Sequence, residues 1–466
     1  MLVEQQICKN PRLKKDKGVA WIILVMSFFS HTVNIGFTYA VIGNLTIAHQ
    51  QLFGVTLNQS SLIGSSHIAV LGILAPLASI LVKSIGYRLT QVLGGISMVL
   101  AVGLSALSTQ YWHALLLFGF LGGFGVSTTY TASSAILGLH FDRRKYFAFS
   151  TASMGFYAGM IFWPIASQKL LDTFGYSKAM SIMAGPQFIH IVAGMIYFQP
   201  YNNLDHPEGS VDTNSAKASQ EENLSESKLG FDNPAVECDS DDGEIEVKVP
   251  QKEEEVGPGE DKSKLSASIN LRQEFVALFK SYKIWLLMAN FCLWGSNASS
   301  FLIVVNDYIV RKTGATEEEI ALGITIIGVS NIVGCLIMVA TSSLKYDRLI
   351  SHTLFIAGYG VSTIISAFST GKVMFYVVCS FWGISYGCFI SNLLAAVNEF
   401  CTPERFALTF GFALLAEGVG SVAGTSFVSY ISEDINELAA IIVSGCMGLA
   451  GSCCLIPMIV QRLRAR

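Results

Sequence analysis

Stretches of about twenty mostly apolar residues recur along this chain, and each is long enough for a helix to cross a hydrocarbon layer ~30 Å thick. They fall at 20–43, 61–82, 90–109, 112–138, 146–168 and 178–199, then at 283–309, 319–342, 351–369, 372–398, 406–430 and 437–460. Backbone N–H and C=O groups meet no water in lipid, so each stretch must close its hydrogen bonds internally, as a helix. Composition agrees. The 466 residues are 52% hydrophobic and 14% charged, with a mean hydropathy of +0.50, whereas soluble domains carry about a quarter charged residues. A soluble enzyme is thereby disfavoured, and the pattern predicts an all-α membrane protein.

The charges are segregated. Between Tyr201 and Leu265 lie 18 of the 34 acidic and six of the 30 basic residues, a net of −12, against +8 for the rest of the chain. An acidic segment set into a basic, apolar body does not suit a binder of nucleic-acid phosphates. The segment has few large apolar residues and holds Pro207, Pro234, Pro250 and Pro258, so it is expected to be a disordered linker or regulatory tail. Residues 271–282 are expected to form a short surface helix ahead of the seventh span. With twelve spans and an inner N-terminus, sixteen basic residues fall on the inner side, among them Lys83, Arg88, Arg143, Arg144, Lys145, Arg348 and Arg405. Five fall outside: Lys169, Lys178, Arg311, Lys312 and Lys372. That asymmetry is the positive-inside signature and places both termini in the cytoplasm. The expected divisions are a tail (1–19), a six-helix bundle (20–199), an acidic loop (200–282), a second bundle (283–460) and a C-terminal tail (461–466). The cysteines form no C-x-x-C pair and lie largely inside apolar runs, so neither a metal nor a cofactor is expected.

Basic residues recur at corresponding loops of the two halves: Lys83 to Arg88 matches Lys345 to Arg348, and Asp142 to Lys145 matches Glu404-Arg405. Parallel repeats about an axis along the membrane normal are the major facilitator layout. Four further stretches are more specific. They are Asp16-Lys17-Gly18-Val19-Ala20-Trp21 with Gly36 to Ala40; Ala75 to Arg88; Phe141 to Ala148 running on to Gly155 and Gly159; and Glu404-Arg405-Phe406 leading to Glu417, Gly418 and Gly424. In this order and at these spans, the chain resembles the monocarboxylate transporter (solute carrier 16) family of the major facilitator superfamily. The resemblance implies twelve helices in two six-helix bundles, a small organic solute moved across a lipid bilayer, a plasma-membrane location, and a single-span glycoprotein partner for surface delivery.

The departures bear on the solute. In lactate-type relatives a lysine late in span one and an aspartate–arginine pair in span eight carry carboxylate binding and proton coupling. Aligned on the resemblance, those positions are Gly43, Ser330 and Gly334. A desolvated carboxylate needs a charge-assisted partner, and proton coupling needs a titratable group in the path. Lactate–proton symport is therefore not expected, and a neutral, amphipathic or amino-acid-like solute fits better.

Polar residues at membrane depth are costly unless they face a cavity or each other. The candidates for the path are His31, Asn34 and Tyr39 in span one, Asn297 and Phe301 in span seven, Ser330 and Asn331 in span eight, and Tyr386 and Asn392 in span ten. Tyr39 stands at a position that touches substrate in the resembled family. Each polar candidate has a plainer reading as an interhelical hydrogen bond, and His67 and His190 read first as packing residues. Glu417 is the one carboxylate well inside a span. It is either a relocated proton-coupling group or a bond between helices, and the structural role is favoured because relatives keep it beside their own pair. Arg143, Arg144 and Arg405 are candidates for a cytoplasmic gate, pairing with Glu399 or Glu404. Two other readings stand beside transport: a non-transporting sensor or adaptor signalling through the acidic loop, and a proton-coupled symporter using Glu417.

Overall fold

The computed structural model describes residues 15–198, 274–313, 317–344, 346–369, 371–403 and 405–465. The acidic segment, the first fourteen residues, Lys345 and Glu404 lie outside the described residues.

Span one is two helices in line, α1 (Val19–Val33) and α2 (Ile35–Phe53), with Asn34 between them at φ −94° and ψ −90°. The main chain stays bonded through the break, from Asn34 N–H to Ser30 O and from Thr38 N–H to Asn34 O. There follow α3 (Leu57–Ile73), α4 (Ala75–Ser105), the short α5 (Tyr111–Ala114) and a π-helical turn, Leu115–Gly122, running into α6 (Gly123–His140). His67 Nδ1–H donates to the carbonyl of Phe118 in that turn at 2.7 Å, which gives a carbonyl of the widened turn a partner. Then come α7 (Lys145–Gln187), α8 (Ile189–Ile196), the short α9 (Glu274–Lys280), α10 (Tyr282–Thr313), α11 (Glu317–Ala340), α12 (Arg348–Ala367), α13 (Lys372–Asn398), α14 (Phe406–Asp434), α15 (Glu437–Cys453) and α16 (Ile456–Ala465).

Nine of the described helical stretches are long and apolar enough to cross a membrane, or ten if α9 and the start of α10, bent by 74°, are taken together. Twelve are expected from the sequence. The gap arises partly at two glycines: α4 runs through Gly86 (φ +83°) and α7 through Gly175 (φ +72°), each a non-helical point between two expected stretches. Positive φ with extended ψ is open essentially to glycine alone, so a chain that reverses there needs no loop. Within the short helix expected over 271–282, residues 271–273 lie outside the described residues and Glu274–Lys280 form α9, whose Phe275 and Phe279 rest edge-on against Phe412 of α14.

Helices α1 to α8 pack largely on one another, and α10 to α15 do likewise. The two halves meet where α3 and α4 cross α14, and where α7 crosses α11 and α13. Glycines set the close crossings. A Cβ on Gly155 or Gly159 would strike the carbonyls of Phe28 or Thr32 on α1, and one on Gly420 that of Cys292 on α10. This is the small-residue packing that replaces hydrophobic drive between helices in lipid. Many large apolar side chains face outward, among them Ile165, Trp112 and Phe381, as suits a lipid-facing surface.

Candidate functional site

Where the halves approach, residues of α1, α2, α3, α6 and α7 meet residues of α10, α13 and α14 around a cavity of about 50 Å³, room for a few waters. His31, Tyr39, Tyr130, Ser153, Trp294, Tyr386 and Glu417 are its polar lining residues, and none of the lining residues is Lys or Arg. Tyr39 keeps 39% of its surface accessible and is held edge-on by Phe156 at 5.8 Å. Tyr386 stacks on Trp382 at 4.9 Å, and Trp382 on Phe301 at 4.6 Å. Phe301 therefore backs the wall without lining it. Gly295 lets α10 approach α14 at Glu417: a Cβ there would lie 2.9 Å from the Glu417 carbonyl.

Glu417 is only half-buried, and its carboxyl makes no hydrogen bond or ion pair within the described residues. The helix-bridging role favoured from sequence thus has no bond to carry it, and the carboxyl faces the cavity. His31 differs. Its Nδ1–H donates to Ala152 O at 3.0 Å, and Nε2 lies 3.1 Å from Ser133 Oγ. Both nitrogens tie α1 to its neighbours while one ring face borders the cavity.

The remaining candidates lie in helix contacts. Asn34 donates through Nδ2 to Val126 O and Thr129 Oγ1, Asn297 to Ser444 O, and Asn392 to Arg348 O at 2.8 Å. Ser330 packs on Gly383, and the backbone of Asn331 on Gly387. The positions aligned with the lactate-type charges differ in kind. Nothing lies within 4 Å of a Cβ built on Gly43, whereas one on Gly334 would strike Ile384 O and lie 2.8 Å from Cys388 N. The backbone of α13 occupies the space that an arginine at 334 would need.

At the end of the molecule bearing the basic loops, Glu399 is bonded, but not to Arg143 or Arg144. Tyr146 Oη–H donates to Glu399 Oε1 at 2.5 Å, and Arg462 Nη1 pairs with Oε2 at 2.8 Å. Arg143 and Arg144 instead give their main-chain N–H groups to Asp16, both at 3.0 Å. Arg405 makes no side-chain bond among the described residues and sits at the start of α14.

Two groups escaped the sequence reading. Tyr130 reaches the cavity from the Ser/Thr-rich face of α6, where an aromatic among small polar residues was a usable signal. Arg348, 2% exposed, lies over the rings of Tyr146 at 4.4 Å and Tyr346 at 4.0 Å and donates to Ser342 O. In the sequence it counted only as a loop charge.

Residues 21–425 match the family model described as Major Facilitator Superfamily. The chain is 32% identical to Monocarboxylate transporter 6 of Mus musculus over 197 residues, which is 42% of each chain. Over nearly its whole length it is 23% identical to Monocarboxylate transporter 14 of Homo sapiens, covering 91% of this chain and 87% of that one. Among solved structures it is similar to the proton:xylose symporter XylE (TM-score 0.66, 12% identity, 94% and 95% covered). It is likewise similar to the human organic anion transporter MFSD10 (TM-score 0.63, 12% identity, 94% and 98% covered).

Proposed function

The chain belongs to the Major Facilitator Superfamily as a multi-pass membrane transporter and not an enzyme, and from that premise we propose that it moves a small zwitterionic, amino-acid-like solute by alternating access. One observation carries this reading. The charged side chain lining the cavity is a carboxylate without a partner among the described residues, Glu417, ringed by Tyr39, Tyr130, Trp294 and Tyr386. A carboxylate and aromatic faces are the groups that receive an ammonium, by charge-assisted hydrogen bond and by cation–π attraction. Nothing in the lining offers a simple monocarboxylate a guanidinium or ammonium, whereas a zwitterion brings its own cation for Glu417 and leaves its carboxylate to the tyrosine hydroxyls.

In this reading the chain spans the plasma membrane twelve times with both termini in the cytoplasm, so the end with Arg143, Arg144 and Arg405 is the cytoplasmic one. The N-terminal bundle (20–199) rocks against the C-terminal bundle (283–460), and a single-span glycoprotein assists delivery. Asn34, Asn297 and Asn392 bond the helices around the path and Ser330 and Asn331 pack between them, while Tyr39, Tyr386 and Glu417 touch the solute. Uptake in cells tests it, with labelled lactate, pyruvate, aromatic amino acids, carnitine and creatine at pH 6 and 7.5. The expected outcome is uptake of a zwitterion that differs little between the two pH values. A second reading has its own support in the same unpaired carboxyl, proton-coupled symport through Glu417; it predicts acid-stimulated lactate uptake abolished by Glu417→Gln. Silence across the panel with the protein at the cell surface would favour the sensor.

A further inference from the structure

We propose that the basic end carries a second site, for a phosphomonoester group, in the recess bounded by Trp21, Arg143, Arg144, Phe147, Ser342 and Ser343. The recess has a volume of about 230 Å³ and is separate from the solute cavity, with which it shares no residue. Its polar residues come from both halves: two arginines from the turn between α6 and α7, and two serines from the turn between α11 and α12.

The turn that bears the two arginines is held in place without neutralising their side chains. The Asp16 carboxylate accepts the main-chain N–H groups of Asp142, Arg143 and Arg144, which fixes the turn while leaving the side chains free. The Trp21 indole donates to Asp16 O at 3.2 Å, and the Arg144 guanidinium stands 5.4 Å over the Trp21 ring. Among the described residues neither Arg143 nor Arg144 has a carboxylate within 4 Å of its guanidinium. Two planar forks and two hydroxyls present more donors than one carboxylate can accept. They suit a phosphomonoester, with its three strong acceptor oxygens and nearly two negative charges. Phe147 gives the recess an apolar wall. A phosphate bound here bridges the halves beside the Tyr146–Glu399 bond and holds this end closed, a consequence that rests on the transport reading, whereas the site itself does not.

The phosphate belongs either to a lipid headgroup or to a free anion, and two arms separate these sources. Full-length protein in detergent is titrated with inorganic phosphate, and protein in phosphatidylcholine nanodiscs is compared with and without phosphatidylinositol 4-phosphate, reading heat of binding and thermal midpoint. We expect saturable binding in at least one arm, weakened by added salt and weakened about tenfold or more by Arg143→Gln with Arg144→Gln. The control Arg464→Gln, at the same end outside the recess, should bind within about twofold of the parent. If the double variant fails to fold, Ser342→Ala with Ser343→Ala decides, with an expected loss of about threefold. Binding unchanged in the recess variants, or absent from both arms, overturns the proposal. Neither arm reads transport: a silent uptake panel with recess-dependent binding sinks the transport reading alone, and uptake without binding sinks this one alone.

Discussion

A polar side chain between helices earns its place either by bonding to protein or by being left for a ligand, and the two kinds are distinguishable residue by residue. Asn297 is fully buried and donates to Ser444 O, so it belongs to the first. Asn297→Ala should cost about 1 kcal/mol, read as a lower thermal midpoint, with the order of preference among solutes unchanged; a changed preference would place it in the path. Glu417 belongs to the second. If it receives the solute's ammonium, Glu417→Gln removes one charge-assisted bond and should lower zwitterion uptake about tenfold or more at unchanged surface abundance. Unaltered uptake would show that the solute passes without touching it.

At the scale of the helix, close crossings decide which charges a span can hold. Gly334 of α11 lies against Ile384 and Cys388 of α13, while Gly43 of α2 faces open space. Restoring the two lactate-type cations therefore has unequal consequences. Gly43→Lys should leave folding and surface expression near the parent's, whereas Gly334→Arg must push α13 away and should abolish surface expression, both measured by surface biotinylation. Equal expression of the two would mean that α11 and α13 separate freely. Gly86 marks another helix-scale constraint, since its backbone region excludes side chains; Gly86→Val should lower the thermal midpoint although nothing lies near its Cβ position.

For the whole molecule, the hydrogen bonds between halves among the described residues gather toward the basic end: Ser79 to Ala407 O, Ser150 to Ser391 O, Tyr146 to Glu399, and Lys83 with Glu274. Arg348 adds its guanidinium over the Tyr146 ring. These contacts describe a form drawn together at that end, and alternating access requires them to break. Tyr146→Phe deletes one half-buried charge-assisted bond and should shift the equilibrium toward opening, about tenfold for ~1.4 kcal/mol. Reaction of a cysteine introduced at Ser343 with a water-soluble maleimide should rise accordingly. A rate unchanged by Tyr146→Phe would show that this bond does not hold the closed form.

Much of the architecture was legible in the residues because lipid imposes one rule, about twenty apolar residues closed into a helix, and that rule is local. The stretches around α1 to α8 and α10 to α15, the short helix α9, and the packing roles of Gly155, Gly159, Gly420 and Gly424 follow from composition and spacing. Which polar groups share a cavity is a different matter. Asn34 and Tyr39 lie five residues apart, yet one bonds to α6 and the other opens toward Glu417, because 100° of helical turn per residue sends neighbours to different partners. The burial of Arg348, the freedom of the Glu417 carboxyl and the crowding at Gly334 arise from helices far apart in the chain. Sequence by itself determined the helices and the family; tertiary packing alone decided which side chains those helices leave unpaired.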